Sequence, residues 1–231
     1  MSDGHALPTT PTPAGFVPHE VAHHYNSHVQ EYQSWKLAFW LFLATEIMLF
    51  GGLFAAYFVY HDLYPETFRV GGQQLDWRMG SLNTAILLCS SFTMALGVRA
   101  AQTSEKGKML TYMILTVAGA AGFMVVKYFE YTAKFSHGLF PGAYFNPHGA
   151  YADAFAGLSG ANIFFGLYFT MTGIHGLHVL IGAGLILWMI KRGAAGRYHS
   201  GHYLPVDIAG LYWHLVDLIW IFLFPLLYLV P

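Results

Sequence analysis

The longest uncharged stretch of the chain limits the available folds most strongly. The stretch between Asp153 and Lys191 contains no Asp, Glu, Lys or Arg, and from residue 162 onward it is almost wholly apolar. A helix rises about 1.5 Å per residue, so about 20 apolar residues cross a hydrocarbon core of about 30 Å. The stretch therefore predicts a transmembrane helix, which carries His175 and His178 at i and i+3 on one helical face.

Four further apolar stretches have the length and composition of membrane spans. Of the 231 residues 10% are charged and 55% are hydrophobic, whereas soluble domains average about 25% charged residues. We therefore expect an all-α, polytopic membrane protein, built as a bundle of five transmembrane helices. The expected spans cover about residues 37–60, 79–98, 109–131, 157–190 and 208–230. They form one transmembrane domain, 29–231, which follows a polar His- and Pro-rich tail, 1–28.

The N-terminal tail permits two interpretations. It holds His5, His19, His23, His24 and His28, and a histidine-rich tract can bind metal. Because no cysteine and no dense ligand spacing accompanies these histidines, a hydrophilic, partly disordered tail is the simpler interpretation. The tail also lacks the basic and apolar regions of a signal peptide.

Basic residues predict how the five spans are oriented. An odd number of spans puts the two termini on opposite sides of the membrane, and Lys and Arg are enriched on the cytoplasmic side. The side of the N-terminus holds Lys36, Arg99, Lys106, Lys108, Lys191, Arg192 and Arg197, and the other side holds Arg69, Arg78, Lys127 and Lys134. The sequence thus predicts a cytoplasmic N-terminus and a C-terminus on the outer side.

Polar residues recur at similar depths in several of the expected spans. Counted by helical rise from the inner end, Glu46 and Asp217 lie roughly 15 Å deep, His178 roughly 20 Å, and Asn83 and His175 roughly 24 Å. Polar groups at this depth face a protein interior and often mark function. Glu130 falls near the outer surface by the same count, and we expect interfacial solvent to satisfy its carboxylate.

A metal or haem site is one function that such residues could serve. The candidate ligands are His175, His178 and His214, with Glu46 or Asp217. Di-iron bundles place a Glu-x-x-His motif on each of two helices, whereas positions 172 and 211 here are Thr and Leu. Since membrane histidines are usually satisfied by polar packing, we expect no metal site and no catalytic residue in this chain.

Proton transport through Glu46, Asp217 and the histidines is a second function to weigh. Transporters usually show internal repeats and broken helices. This sequence shows no repeat between its halves, and no proline interrupts the first four spans. A transporter in its own right is therefore disfavoured.

A structural role fits the same residues without any catalytic group. In this interpretation a buried polar network fixes the registers of the helices, and its members are Asn83, His175, His214 and Asp217. Lys36 and Arg192 lie at the inner interface, where they attract anionic phosphates. The residues by themselves favour this third interpretation.

Five motifs resemble the consecutive motifs of subunit III of the haem–copper terminal oxidases. They read ATEIMLFGGLFAAYF, SLNTAILLCSSFTMALG, KYFEY, TMTGIHGLHVLIG and YWHLVDLIWIFLFPLLYL. The resemblance covers about residues 34–231, in order and without rearrangement, and leaves out the tail. TGIHGLHVLIG and YWHLVDLIW are too long and specific to match by chance.

The resemblance implies a non-catalytic accessory subunit, while haem and copper belong to partner subunits of the oxidase. It implies packing on the catalytic subunit I, retention of phospholipids in a cleft, and support of proton uptake and turnover stability during oxygen reduction. Carried over by position, lipid contacts fall to Lys36, Glu46, His178 and Arg192, and packing and hydrogen bonding to Glu130, His214 and Asp217. The expected location is the cytoplasmic membrane of a bacterium.

The sequence departs from the pattern of this family at two places. Many members have seven spans, and the two N-terminal spans that wall their lipid cleft have no counterpart here. Where members often carry an acid four residues before an LLNT-like stretch, this chain has Arg78, so no proton-collecting role carries over. The motifs also resemble small proteins associated with nitric oxide reductases, so the sequence leaves the identity of the partner complex open. It also does not decide whether the electron donor of the complex is cytochrome c or quinol.

Overall fold

A computed structural model of the chain describes residues 13–18, 25 and 27–229. This part contains a short 3-10 turn (Gly142–Tyr144) and seven α-helices. The helices are α1 (His28–Leu63), α2 (Pro65–Gln73), α3 (Trp77–Gln102), α4 (Lys106–Ser136), α5 (Ala150–Ala154), α6 (Ala161–Ala194) and α7 (Leu204–Tyr228). The described residues form no β-strand beyond an isolated bridge between His199 and His202.

Within the described residues, five helices are long and apolar enough to cross a membrane, namely α1, α3, α4, α6 and α7. The all-α, polytopic fold with five spans is therefore confirmed. Helices suit this environment because they satisfy their backbone hydrogen bonds within one segment. The two short helices, α2 and α5, lie in the connections before α3 and α6.

The helix bounds differ from the apolar stretches by several residues. α1 begins at His28 rather than near residue 37, because the polar turns before its apolar part are also helical. α6 begins at Ala161 rather than at 157. Gly157 and Gly160 precede it with φ angles of +76° and +90°, a region that favours glycine and interrupts a helix.

By its internal contacts the chain divides into two compact units, each described by itself. Unit 1 consists of Met1–Glu46, Ser90–Ala118 and Ile181–Leu215, and unit 2 of Ile47–Cys89, Gly119–Leu180 and Val216–Pro231. Every spanning helix contributes one part to each unit. The described residues of the polar tail fall in unit 1. Residues 1–12, 19–24 and 26 lie outside the described part, so the expectation of a partly disordered tail stays a prediction.

Unit 1 has a core of large side chains packed around close helix contacts. Met94, Met109, Met113 and Trp213 are fully buried in it. Gly182 of α6 lets Trp213 of α7 approach, because a Cβ at this glycine would lie only 2.9 Å from the indole ring. The absence of a side chain at this position therefore sets the distance between the two helices.

Unit 2 has a core rich in aromatic rings. Phe68 of α2 meets Phe164 of α6 with ring centroids 5.2 Å apart, in an edge-to-face arrangement. Phe123 of α4 meets Trp220 of α7 in the same way at 5.0 Å. Such pairs add about 0.5–1.5 kcal/mol beyond the burial of their area.

Candidate functional site

A buried ion pair in α4 is the centre of the polar interior of unit 2. Lys127 Nζ lies 2.8 Å from Glu130 Oε2, and the side chains are 6% and 3% exposed. The two residues stand at i and i+3 in the KYFEY motif, so one turn of helix places both on the same face. Glu130 Oε1 accepts hydrogen bonds from the hydroxyls of Tyr168, at 2.8 Å, and Tyr228, at 2.6 Å. The carboxylate is thus satisfied by groups of its own chain.

Aromatic rings surround the cations of this region. Lys127 Nζ lies 4.6 Å from the centroid of the Trp220 ring, and it donates a hydrogen bond of 2.8 Å to the Tyr228 hydroxyl. Lys134 is 4% exposed, and its Nζ lies 5.4 Å from the centroid of Tyr168. A desolvated cation over an aromatic ring gains about 2 kcal/mol or more. We refer to Lys127, Glu130, Lys134, Tyr168 and Tyr228 as the α4 ion cluster.

The α4 ion cluster corrects one expectation from the sequence. Solvent at the interface does not satisfy Glu130, because the residue is 4% exposed and its partners are protein groups. Lys127 and Lys134, counted as basic residues of the outer side, are buried as well. The spacing of KYFEY contained a signal for the ion pair. No local pattern pointed to the two tyrosines, which come from α6 and α7.

His175 and Asn83 are buried in unit 2 with no hydrogen-bond partner for their side chains among the described residues. Each is 0% exposed. The ring of His175 lies 5.4 Å from that of Phe123 and 5.1 Å from that of Trp220, centroid to centroid. Trp220 Nε1 also donates to Thr84 Oγ1 at 3.0 Å. Both residues lie inside the protein, while their membership of a network that fixes helix registers stays a prediction.

Two adjacent serines of α3 pair with two consecutive residues of α7 in unit 1. Trp213 Nε1 donates to Ser90 Oγ at 3.1 Å, and His214 Nδ1 lies 2.6 Å from Ser91 Oγ. Trp213 is fully buried, whereas His214 is half-buried. The two pairs join α7 to α3 in this unit, while a role of His214 in fixing helix registers stays a prediction.

The expected lipid residues Lys36 and Arg192 lie beside aromatic rings in unit 1. Lys36 Nζ lies 4.5 Å from the centroid of Tyr32, one turn before it on α1. The Arg192 guanidinium carbon lies 4.6 Å from the centroid of Trp188, one turn before it on α6. Both basic residues are half-buried. Cations paired with aromatic rings are typical anchors at a membrane interface.

The other two expected lipid residues and Asp217 lie deeper in the helices. Glu46 is 9% exposed in unit 1, and Asp217 is 3% exposed in unit 2. His178 Nδ1 lies 2.8 Å from the carbonyl oxygen of Ile174, and the His178 ring meets that of Phe50 at 5.6 Å in unit 2. Glu46 and Asp217 are thus buried, whereas His178 is half-buried. Contact with a lipid stays a prediction for Glu46 and His178.

The described part of the chain contains no set of side chains arranged as metal ligands. Among these residues, no group of three or more His, Cys, Asp or Glu is placed to hold an ion. His175 faces aromatic rings, and the Nδ1 atoms of His178 and His214 are taken up by hydrogen bonds. The histidines of the tail lie outside the described residues or have no described side chain, so metal binding by the tail remains untested.

Two ionisable groups in the connections of unit 1 have shifted pKa values. A hydrogen bond and ion pair with Lys108 lower the pKa of Glu105, between α3 and α4. Burial raises the pKa of the Tyr198 hydroxyl, between α6 and α7. The same connection contacts the tail, where Val17 N donates to the carbonyl oxygen of Gly196 at 3.0 Å. These contacts order the connections and form no recognisable catalytic arrangement.

Comparison with known proteins identifies the family in which this architecture occurs. The family model described as "Cytochrome c oxidase subunit III" matches residues 18–152 and 142–230. The chain belongs to this family. The resemblance of its motifs to haem–copper oxidase subunit III is therefore confirmed.

Individual relatives match along most of the chain. "Cytochrome c oxidase subunit 3" of Thermostichus vulcanus is 33% identical over 205 residues, which cover 88% of this chain and 91% of the relative. "Quinol oxidase subunit 3" of Bacillus spizizenii is 32% identical over 226 residues, covering 91% and 97%. "Cytochrome c oxidase subunit 3" of Loxodonta africana is 27% identical over 216 residues, covering 89% and 72%. As a member of the subunit III family with five spanning helices, the chain is a multi-pass membrane protein and an accessory subunit of a haem–copper oxidase.

Proposed function

We propose that the chain packs on the catalytic subunit I of a bacterial respiratory haem–copper oxidase and stabilises that subunit during turnover. The observation that carries this proposal is the family match, which runs through all five spanning helices. In this role haem and copper reside in partner subunits, which reduce oxygen to water. The donor is cytochrome c or quinol, since relatives of both names match this chain at similar identity.

The α4 ion cluster supports a structural role. Its carboxylate and the Lys127 ammonium bind each other and two tyrosines inside the chain. These hydrogen bonds join α4, α6 and α7, and they leave neither charge of the pair exposed for a chemical reaction. The chain then sustains proton uptake by subunit I indirectly, through the stability of their contact.

Phospholipid retention is the second part of the proposal. Lys36 and Arg192 attract the phosphates of anionic lipids, and Glu46 and His178 lie deeper, along the acyl chains. Trp35 and Trp188, each 51% exposed, are suited to lie at the level of the headgroups. With these basic residues at the inner face, the N-terminus is cytoplasmic and the C-terminus periplasmic, in the cytoplasmic membrane.

Purification of the intact complex through a tag on this chain tests the proposal. A reduced-minus-oxidised spectrum and metal analysis are recorded before and after the subunits are separated. We expect haem and copper to co-purify with the chain and then to stay with the other subunits. Haem or copper that stays with the isolated chain would contradict an accessory role. Haem with non-haem iron in place of copper would instead identify a nitric oxide reductase.

A further inference from the structure

Two exposed apolar side chains and one half-buried polar ring lie on α3 and α7 in unit 1. Phe92 of α3 is 65% exposed and Leu211 of α7 is 42% exposed. His214 is half-buried, lies one turn after Leu211 on α7, and is bonded to Ser91, the residue before Phe92 on α3. We call Phe92, Leu211 and His214 the α7 outer patch.

The imidazole of His214 is held in a fixed orientation. Its Nδ1 lies 2.6 Å from Ser91 Oγ, and this is the only hydrogen bond of the ring within the described residues. Nδ1 and Nε2 lie on opposite sides of an imidazole, so a ring bound to α3 through Nδ1 directs Nε2 away from Ser91. The neighbouring bond from Trp213 to Ser90 fixes the same register of α7. Nε2 therefore has a fixed position and no hydrogen-bond partner within the described part of the chain.

The depth of His214 excludes a lipid headgroup as the partner of Nε2. By helical rise the residue lies about 15 Å from the start of α7 at Leu204 and about 21 Å from its end at Tyr228. Both distances put it well inside a hydrocarbon core of about 30 Å, which phosphates do not reach. Acyl chains offer no hydrogen bond there, and an unsatisfied polar atom in hydrocarbon is costly.

Two hydroxyl groups on other exposed helix faces form hydrogen bonds with their own backbone. Thr45 Oγ1 donates to the carbonyl oxygen of Phe42 at 2.7 Å, and Thr111 Oγ1 donates to that of Gly107 at 3.1 Å. A hydroxyl folds back on its own backbone in this way and can then face lipid. The Nε2 atom of an imidazole that is already bonded through Nδ1 cannot do the same.

We propose that the α7 outer patch binds a transmembrane helix of another oxidase subunit, which presents a hydroxyl or carboxamide side chain to His214 Nε2. Such side chains both donate and accept, so they fit either tautomer of the ring. Phe92 and Leu211, which are exposed on α3 and α7, supply apolar contacts to the same helix. The inference rests on the proposed membership of an oxidase complex and assigns a surface for that assembly.

Three substitutions separate the two nitrogen atoms of the ring. The carboxamide of His214→Gln reaches the position of Nε2, whereas that of His214→Asn reaches only the position of Nδ1. Retention of this chain on the purified complex is measured during a detergent titration. We expect His214→Gln to keep parental retention and His214→Asn to weaken retention about three- to fifteenfold, the range of interhelical hydrogen bonds in membranes. Ser91→Ala removes only the internal bond, so it should reduce retention less than His214→Asn does.

A loss of retention in Ser91→Ala together with parental retention in His214→Asn would mean that only the internal bond matters, and would overturn the proposal. So would a loss in His214→Gln as large as that in His214→Asn. All three variants are purified by a tag on a haem-containing subunit, and folding is checked by the protease resistance of the chain. A chain that never associates with haem-containing subunits in the parent would instead refute the proposed function.

Photo-crosslinking identifies the occupant of the patch. Benzoylphenylalanine in place of Leu211 should form an adduct with another oxidase subunit in native membranes. Leu187 of α6, 54% exposed in the same unit, is the matched control position and should give no adduct with the same residue of that subunit. An adduct with lipid alone, or with a second copy of this chain, would overturn the assignment.

Discussion

The hydroxyl of Tyr228, in the last turn of α7, donates to Glu130 Oε1 of α4 at 2.6 Å. The same hydroxyl accepts a hydrogen bond from Lys127 Nζ at 2.8 Å. One phenol therefore contacts both members of a buried ion pair. The end of α7 is thus held by hydrogen bonds to a charge pair on α4, within unit 2.

Glu130→Gln is expected to destabilise the chain more than Lys127→Met. Removal of the carboxylate leaves Lys127 buried without its anion, which costs about 3–5 kcal/mol for a broken buried pair. In Lys127→Met the carboxylate keeps two tyrosine donors and Lys134 nearby, so the loss is smaller. The free energy of unfolding in detergent measures both, and the double variant should lose less than the sum of the two. An additive result would show that the pair is not coupled.

Gly182→Ala is expected to destabilise unit 1 by about 1–3 kcal/mol, the usual cost of overpacking a core. The added Cβ would lie 2.9 Å and 3.0 Å from atoms of the Trp213 ring and 3.0 Å from Tyr212. Gly184→Ala on the same helix is the control, because nothing lies within 4 Å of its added Cβ. Alanine also favours helix over glycine by up to about 1 kcal/mol, so the control variant should match or exceed parental stability. Equal thermal midpoints for the two variants would contradict the close packing.

The five spanning helices could be predicted from sequence because the membrane sets both the length and the composition of a span. The start of α6 could not, since the apolar composition continues through Gly157 and Gly160, where the backbone leaves the helix. Hydropathy measures whether a residue prefers water or an apolar environment, and it contains no information on the backbone dihedral angles. Helix bounds therefore carry an uncertainty of several residues even where the number of helices is clear.

The polar partners in the interior could be predicted only where they lie close in sequence. The i, i+3 spacing of Lys127 and Glu130 shows that they share a helical face. The bond between Ser91 and His214 joins residues 123 positions apart and depends on the register of α7 on α3. Depth along a span indicates how far a side chain lies from the interface, but not which side of the helix faces protein. For this reason the depth of Glu130 predicts contact with solvent, although its carboxylate is buried against Tyr168 and Tyr228.

Glu46→Ala and His178→Ala are expected to leave the haem spectrum of the complex intact and to shorten its active lifetime. Both residues lie on faces that are buried or half-buried in their units, and neither belongs to a metal-binding group of the described residues. A loss of about 1 kcal/mol in assembly would reduce the lifetime about fivefold. The lifetime is measured as oxygen consumed before inactivation. Met48→Ala, at a residue of α1 that is 77% exposed, is the control. Loss of haem or copper from either variant would revive a ligand role.

Arg192→Gln is expected to lower the amount of anionic phospholipid that co-purifies with the complex about fivefold. One basic residue near a membrane surface contributes about 1 kcal/mol to the attraction of anionic lipids. The guanidinium of Arg192 is held against the Trp188 ring, so its charge is fixed near the end of α6. Arg99→Gln, at an exposed residue in the last turn of α3, removes the same charge without that ordered site. The ratio of anionic to zwitterionic lipid, measured by mass spectrometry of extracts, should fall in the first variant and stay near the parental value in the second. An equal fall of this ratio in both variants would mean that general surface charge, and not a site at Arg192, retains the lipid.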